Sequence, residues 1–175
     1  FTVPDPVDPN DPLDVDAARR IDGQHNRFFT DPIFRGEYPA DLLADLKHIP
    51  WEHNIHEGDL EIISTPIEAL GVNYYHGEAV SGHPPTTVLH SAAPSERPKR
   101  SPFPAAEGVY SHPRGLPVTA MDWEVQPEGL TRLLKRLKAE YTGDSVKLYV
   151  TENGAAYNDT VEDDGSVNDV ERAEF

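Results

Sequence analysis

A glutamate at position 152 directly follows the clearest strand-type run in the chain. Residues 146–151 are Val-Lys-Leu-Tyr-Val-Thr, which predicts a strand, and Gly154 allows the backbone to turn away sharply after it. Ligands of parallel α/β proteins bind at the carboxyl ends of the strands. Glu152 is therefore a candidate nucleophile or general base. The competing interpretation is a solvated glutamate at the start of a loop, and the spacing alone favours it.

A second strand-type run also ends in polar groups. Residues 69–75 are Ala-Leu-Gly-Val-Asn-Tyr-Tyr, an apolar and aromatic pattern typical of a buried parallel strand. From residue types alone, Asn73 is best explained as a turn cap and Tyr75 as a core aromatic. Trp123, just before a predicted helix, is best explained as a hydrophobic contact at the start of that helix.

One amphipathic helix is predicted between these two strands. Pro127 and Glu128 suit its first turn, and Gly143 suits its end. Its apolar residues recur at helical spacing, at Leu130, Leu133, Leu134, Leu137 and Tyr141. Strand, long connection, helix and strand form a βα pattern, which implies a parallel sheet with right-handed crossovers. Two such strands do not make a barrel, but they suit two adjacent strands of one.

The first half of the chain is predicted to be largely loop and short helix. Prolines make residues 1–16 an extended loop, after which a helix capped by Asp14 or Asp16 runs to about Phe29 and ends before Asp31-Pro32. Residues 39–46 predict a short helix.

Two further segments complete the prediction of local structure. Residues 58–63 predict a short turn or strand. Residues 76–120 are rich in proline and predict a long irregular excursion.

Composition limits the classes of partner. The chain has 175 residues, enough for one domain, and a formal net charge of −16. This charge repels phosphate backbones and anionic lipid surfaces, so we expect no nucleic-acid or membrane partner, whereas a neutral sugar is compatible with it. The absence of cysteine fits a reducing cytoplasm, which is the expected location. His53 and His56 stand three residues apart, but no third ligand is evident and no metal is expected.

Several segments, in the same order along the chain, resemble glycoside hydrolase family 1, the β-glucosidase and β-galactosidase family of (β/α)8 barrels. Residues 148–154, Leu-Tyr-Val-Thr-Glu-Asn-Gly, resemble its nucleophile motif, and residues 70–75 resemble its sixth barrel strand. The stretch around residues 81–117 matches least well. Three further segments share the resemblance: residues 31–39, 123–130 and 163–172.

The resemblance implies a fold, a reaction and four site residues. The fold class would be an α/β TIM (β/α)8 barrel, with residues 1–175 forming a fragment of that single domain around strands six and seven. The reaction would be hydrolysis of terminal non-reducing β-D-glucosyl residues with retention, without metal or organic cofactor. Glu152 would be the catalytic nucleophile. Tyr75 would hydrogen-bond it, Asn73 would lie at the floor of the sugar site, and Trp123 would form an aromatic wall at the aglycone end.

The departures from the family pattern leave alternatives open. The chain contains no Asn-Glu-Pro, the family's acid/base motif, and nothing that resembles strands one to five or eight, so we expect these residues alone to be inactive. A β-glucoside or short β-linked oligosaccharide is the expected substrate. The alternatives are a 6-phospho-β-glycosidase, a subgroup that tends to carry serine where Asn73 stands, a β-galactosidase, or a non-catalytic sugar-binding protein. The oligomeric state is not indicated.

Overall fold

The computed structural model describes residues 1–85 and 98–175, and it contains two sheets. One has two parallel strands, β2 and β6, and the other has four strands in the order β1-β3-β5-β4. The strands are β1 (Pro4–Pro6), β2 (Ala69–Asn73), β3 (Glu78–Ser81), β4 (Lys99–Arg100), β5 (Tyr110–His112) and β6 (Lys147–Glu152). The α-helices are α1 (Pro12–Asp22), α2 (Phe28–Arg35), α3 (Ala40–Asp45), α4 (Asp59–Ile63), α5 (Pro127–Leu137) and α6 (Val170–Glu174).

Strands β2 and β6 form the parallel pair that the βα pattern predicts. Ala69 lies opposite Lys147 at one end, and Asn73 lies opposite Glu152 at the other, after a register shift between Val72 and Asn73. The prediction of two adjacent parallel strands is confirmed. Because the strands run the same way, Asn73 and Glu152 lie at the same edge of the sheet.

Helix α5 packs one face of this parallel pair. Val72, Tyr74, Leu133 and Leu137 form a buried cluster between strand and helix. The helical spacing of the leucines produces this face, because residues three and four apart share one side of an α-helix. After Leu137 the helix continues through a π-helical turn, and it ends at a glycine with positive φ. The helix predicted between the two strands is confirmed.

A glycine in the first turn of α5 makes room for a tyrosine. Tyr74 donates its hydroxyl to the carbonyl of Gln126 at 3.2 Å. A Cβ added at Gly129 would lie 1.9 Å from the Tyr74 hydroxyl. Glycine ordinarily weakens a helix, but here it leaves space for the Tyr74 side chain against α5.

The beginning of the chain is more ordered than predicted. Strand β1 pairs in parallel with β3. Helix α1 begins at Pro12, and its cap is Asp11, whose side chain accepts the Leu13 N–H at 2.8 Å. The prediction of a loop to residue 16 with Asp14 or Asp16 as cap is therefore wrong. Proline in the first helical turn costs no hydrogen bond, which explains why the prolines do not delay the helix.

The first helical region also continues further than predicted. A π-helical turn (Gly23–Arg27) joins α1 to α2, which ends at Gly36 with φ of 69°. Asp31 and Pro32 lie inside α2, so the predicted end before them is wrong. Asp31 is buried and accepts the Tyr141 hydroxyl at 2.7 Å. This tertiary contact outweighs the local tendency of Pro32 to end a helix.

The predictions for two short segments had opposite outcomes. The helix predicted over residues 39–46 is confirmed as α3. Residues 58–63, predicted as a turn or strand, form helix α4 after Gly58, whose φ is 90°. The side chain of Asp59 accepts the His56 N–H at 2.7 Å, and acidic residues occupy the first turn, where they favour the helix dipole.

The predicted irregular excursion contains a small antiparallel sheet in its described part. Strand β3 pairs with β5, and β5 pairs with β4. Helix α1 anchors this sheet through a buried cluster of Ala17, Ile21, Val80, Ala106 and Val109. The prediction of no regular structure is wrong here, although residues 86–97 lie outside the described part. Strands of two to four residues are too short to produce a readable alternation.

Candidate functional site

The carboxylate of Glu152 lies beside the hydroxyl of Tyr75, where β2 and β6 end. Tyr75 donates to Glu152 Oε2 at 2.5 Å. This hydrogen bond raises the pKa of the Tyr75 phenol, because the protonated form donates to a negative partner. The structure therefore brings together two of the residues singled out from the sequence. The carboxylate is exposed in this structure, but it is held in one orientation.

Asn73 is anchored by its neighbour across the sheet. Thr151 donates its Oγ1 hydroxyl to Asn73 Oδ1 at 2.6 Å. Since the amide oxygen is used by Thr151, the amide Nδ2 is the free end, and no bond from Nδ2 to another described residue is present. The geometry makes Asn73 a hydrogen-bond donor next to Glu152. Sequence reasoning missed Thr151, because its partner depends on the sheet register.

Two further hydrogen bonds join the ends of the strands. The Tyr74 N–H donates to the Glu152 carbonyl at 3.0 Å, and Asn153 Nδ2 donates to the Tyr74 carbonyl at 2.8 Å. The chain therefore leaves both strands in a fixed direction. Asn153 is a second supporting residue. Its position in the motif did not predict the hydrogen bond from its side chain to Tyr74.

Trp123 packs against the same group of side chains. Its ring centroid lies 5.6 Å from that of Tyr75 and 4.9 Å from that of His76. The preceding residue, Asp122, has φ of 60°, in the left-handed region. The Ala120 N–H donates to the Ala156 carbonyl at 2.8 Å, which ties this turn to the loop after β6. The structure thus places Trp123 beside Tyr75, the residue that donates a hydrogen bond to the Glu152 carboxylate.

A partly buried ion pair between Arg114 and Glu124 fixes the residue that directly follows Trp123. Arg114 Nε donates to Glu124 Oε2 at 2.7 Å, and the Arg114 backbone N–H donates to Glu124 Oε1 at 2.6 Å. Burial raises the pKa of Glu124, but the hydrogen bonds from Arg114 outweigh it and the net shift is downward. Sequence reasoning missed this pair, because Arg114 lies in the irregular region and Glu124 lies beyond it, just before α5.

A group of metal-type ligands lies elsewhere in the fold. Asp11, Asp14 and His83 bring ligand atoms within 4.8 Å of one another. Their atoms are already engaged, since His83 Nε2 lies 2.9 Å from Asp11 Oδ2 and Asp14 accepts the Ser81 hydroxyl at 2.5 Å. We interpret the group as a structural junction between α1 and β3.

In residues 1–85 and 98–175, none of the helices is both long enough and apolar enough to cross a bilayer.

The side chains at the end of the two parallel strands are of the types that bind hydroxyl-rich ligands. The site combines a carboxylate, a neutral hydroxyl and amide beside it, and an aromatic wall, which are the groups that bind hydroxyl-rich ligands such as sugars. Its place at the carboxyl edge of a parallel sheet is the usual place for an active site in an α/β protein.

The chain belongs to the family described as Glycosyl hydrolase family 1, whose model matches residues 2–175. It is 38% identical over 164 residues to the 1,4-beta-D-glucan glucohydrolase of Thermotoga neapolitana, a match covering 93% of this chain. It is 31% identical to the 6-phospho-beta-galactosidase of Leptotrichia buccalis over 90% of this chain. The crystal structure of the psychrophilic beta-glucosidase BglU from Micrococcus antarcticus covers 99% of this chain, with 50% identity and a TM-score of 0.88.

The matched proteins are much longer than this chain. The 175 residues span 33% of the Thermotoga neapolitana protein, 35% of the Leptotrichia buccalis protein and 37% of the BglU chain. The parent fold is the α/β TIM barrel that the sequence predicted. The described residues contribute two parallel strands and do not close a barrel.

Proposed function

We propose that these residues are one part of a complete (β/α)8 barrel, in which β2 and β6 are strands six and seven. The exposed side chains of β6 support this proposal. Tyr149 and Val150 are 54% and 46% exposed, which is unusual for a parallel strand that should be buried on both faces. The helices and the packed interior of a complete barrel would cover them.

The proposed reaction is hydrolysis of a β-glycoside with retention of configuration. Glu152 would attack the anomeric carbon and form a covalent glycosyl ester while the bond to the leaving oxygen breaks. A second carboxyl group, about 5 Å away and supplied by another part of the barrel, would protonate the leaving oxygen. The same group would then take a proton from water, which attacks the ester and restores Glu152.

The hydrogen bond between Tyr75 and Glu152 carries this proposal. It fixes one carboxylate oxygen and leaves the other free to attack, which is the geometry that a nucleophile needs. Asn73 would donate its amide hydrogens to the sugar or to a catalytic carboxyl group. Trp123 would form the wall of the aglycone side. The residues described here would be inactive alone, because they contain half of the carboxylate pair.

We propose an unphosphorylated β-D-glucosyl residue, in a β-glucoside or short β-linked oligosaccharide, as the substrate. The amide of Asn73 supports a neutral sugar, and the net charge of −16 disfavours a phosphorylated one. One relative is a 6-phospho-beta-galactosidase, so phosphorylated and galacto-configured substrates are the alternatives within the family.

The proposal is tested by trapping the covalent intermediate. A complete barrel carrying these 175 residues is incubated with a 2-fluoro-β-glucoside, digested and analysed by peptide mass spectrometry. We expect the label on Glu152 and none in the Glu152→Gln variant. A label on a different residue would refute the assignment of the nucleophile.

A second measurement separates the alternatives. Initial rates are compared for matched aryl β-glucoside, β-galactoside and 6-phospho-β-glucoside. Faster hydrolysis of the phosphorylated substrate would favour the 6-phospho class. Sugar binding without hydrolysis of any of the three would favour a non-catalytic sugar-binding protein.

A further inference from the structure

The guanidinium of Arg114 lies between two segments of the chain that carry groups of the site. Its Nη2 donates to the carbonyl of Gly77 at 3.1 Å, two residues after Tyr75. Its Nε donates to Glu124 Oε2 at 2.7 Å, in the residue directly after Trp123. One side chain therefore connects the segment that follows β2 with the segment that precedes α5.

A third donor of the same guanidinium reaches the first strand. Arg114 Nη1 donates to Asp5 Oδ2 of β1 at 3.4 Å. A guanidinium is planar and presents its N–H groups in a rigid fork, so its acceptors are held at fixed positions relative to one another. A lysine ammonium keeps the charge but lacks this fork. The side chain of Arg114 is only 19% exposed, so water competes little for these bonds.

The carboxylate of Glu124 is held by the backbone as well. Its Oε1 accepts the N–H of Arg114 at 2.6 Å and the N–H of Leu116 at 3.3 Å. The neighbouring Trp123 carbonyl accepts the Thr119 N–H at 2.9 Å. Because side chain and backbone are both fixed, Glu124 gives the guanidinium of Arg114 a rigid support.

The two connected segments meet again beside the carboxylate of Glu152. The rings of Tyr75 and Trp123 lie 5.6 Å apart, and the rings of His76 and Trp123 lie 4.9 Å apart. Tyr75 donates its hydroxyl to Glu152. Only His76 separates Tyr75 from Gly77 in the chain, so a shift of the Gly77 carbonyl would displace the Tyr75 hydroxyl from the carboxylate.

We propose that Arg114 is a positioning residue for the reaction, which holds the segment after β2 so that Tyr75 fixes the Glu152 carboxylate for attack. This inference rests on the proposed function. It requires the fork geometry of the guanidinium and not its charge alone. It also requires an effect that does not depend on the leaving group, which distinguishes it from support of the Trp123 ring alone.

The test uses Arg114→Lys in a complete barrel carrying these residues, with β-glucosyl fluoride as the substrate. Fluoride has no ring that could contact Trp123, so this substrate reports on attack by Glu152 alone. We expect kcat to fall about tenfold and KM to change less than about twofold, because the affected bond aligns the nucleophile rather than binds the sugar. An unchanged kcat, or a loss confined to aryl β-glucosides, would overturn the inference.

A double variant tests whether the effect passes through Tyr75. Once Tyr75→Phe has removed the hydroxyl, adding Arg114→Lys should cause little further loss of kcat. Two losses that simply add would show that Arg114 acts by another route, and the inference would then be wrong.

Arg132→Lys is the matched control for Arg114→Lys. Arg132 Nη1 also donates to Asp5 Oδ2, at 3.2 Å, but within residues 1–85 and 98–175 no hydrogen bond joins it to Gly77 or Glu124. Its kcat should stay within about twofold of the unaltered barrel, as expected for an exposed ion pair. Thermal melting identifies a variant that fails to fold. If Arg114→Lys does so, Glu124→Gln, which removes the charge of the other partner, decides by the same criteria.

Hydrogen exchange separates this inference from the proposed function. Should the unaltered barrel fail to hydrolyse the fluoride, the proposed function fails, but the effect of Arg114 on the segment after β2 is still measurable. Amide exchange is then followed by mass spectrometry in peptides that cover residues 74–78. Faster exchange in Arg114→Lys than in Arg132→Lys supports the positioning of Tyr75 by Arg114, and equal exchange refutes it.

Discussion

Tyr75 Oη and Glu152 Oε2 lie 2.5 Å apart, at the ends of two adjacent parallel strands. In sequence, the strands β3, β4 and β5 and the helix α5 lie between them. The contact exists because the register of β2 and β6 places Asn73 opposite Glu152, which brings Tyr75 level with the carboxylate. The bond raises the pKa of the Tyr75 phenol. The hydroxyl therefore remains a donor throughout the neutral range and loses its proton only above its ordinary pKa, near 10.

Replacing Tyr75 with phenylalanine should impair catalysis more than folding. The variant keeps the ring beside Trp123 and removes the hydroxyl that fixes the carboxylate. In a complete barrel we expect kcat for β-glucoside hydrolysis to fall roughly a hundredfold, with little change in melting temperature, because the lost bond is made to a charged reacting group.

Tyr74→Phe provides the matched control for Tyr75→Phe. It also removes one tyrosine hydroxyl, but that hydroxyl donates to the carbonyl of Gln126, away from Glu152. We expect lower stability and a kcat within about twofold of the unaltered barrel. Equal losses of kcat in the two variants would show that Tyr75 has no specific role in the reaction.

Thr151 should act through Asn73. Its hydroxyl donates to the amide oxygen at 2.6 Å, and this bond directs the amide hydrogens away from Thr151. Thr151→Val keeps the shape and removes the donor, so Asn73 can rotate. We expect kcat/KM for β-glucosides to fall about tenfold, close to the value of one hydrogen bond.

Thr151→Ser is the conservative variant for the same position. It retains the hydroxyl and should recover most of the activity lost in Thr151→Val. Kinetics of Thr151→Val, Asn73→Ala and the variant that carries both substitutions complete a double-mutant cycle. Additive effects of Thr151→Val and Asn73→Ala would mean that Thr151 does not act through Asn73.

The parallel part of the fold could be predicted from sequence because each element has a strong local signal. The leucines of α5 recur at helical spacing, and β2 and β6 are apolar runs with clear ends. The four-stranded sheet gave no such signal. Strand β1 is three residues long with two prolines, and it pairs with β3, more than seventy residues later. Its stability comes from tertiary contacts that a local pattern does not contain.

The residues of the site also fall into two groups, those that lie in motifs and those whose contacts depend on the tertiary structure. The structure brings together Glu152, Asn73, Tyr75 and Trp123, each of which was singled out because it lies in a segment that resembles the family. Supporting residues such as Thr151 and the Arg114–Glu124 pair were missed. Their partners are decided by the register shift in β2 and by the packing of the irregular region, and neither can be derived from residue types alone.

Gly129→Ala should destabilise the protein, although alanine is the better helix former. Helix propensity alone would predict a gain of about 1 kcal/mol. The new Cβ would lie 1.9 Å from the Tyr74 hydroxyl and 2.9 Å from its Cζ, so tyrosine or helix must move. We expect a net loss of about 1–3 kcal/mol in the free energy of unfolding, measured with urea.

A double variant tests whether crowding between Gly129 and Tyr74 causes the loss of stability. Gly129→Ala combined with Tyr74→Phe removes the atom that is closest to the new Cβ. The double variant should therefore lose less stability than the sum of the two single variants. A fully additive result would show that the contact between Gly129 and Tyr74 does not determine the effect.

Asp22 should make the protein sensitive to acid. It joins α1 to α5 through Arg136, and Arg27 Nε lies 2.9 Å from its Oδ2. Burial raises the pKa of Asp22, but hydrogen bonds from Arg136 and Asn26 outweigh this and the net shift is downward. A carboxyl group with a lower pKa in the folded state stabilises the protein above its unfolded pKa, near 4. This stabilisation disappears as the pH falls through the folded pKa.

Asp22→Asn should accordingly lower the free energy of unfolding by about 3 kcal/mol at pH 7, because Arg136 and Arg27 lose a partly buried partner. The difference from the unaltered protein should shrink as the pH falls below 4, because Asp22 is protonated first in the unfolded state and then, at its lower pKa, in the folded state. Urea unfolding of a complete barrel between pH 3 and 7 measures both effects. Asp144→Asn, which breaks an exposed pair with Lys138, should change stability little at any pH. A pH-independent difference for Asp22→Asn would show that packing, rather than the charge of Asp22, joins the two helices.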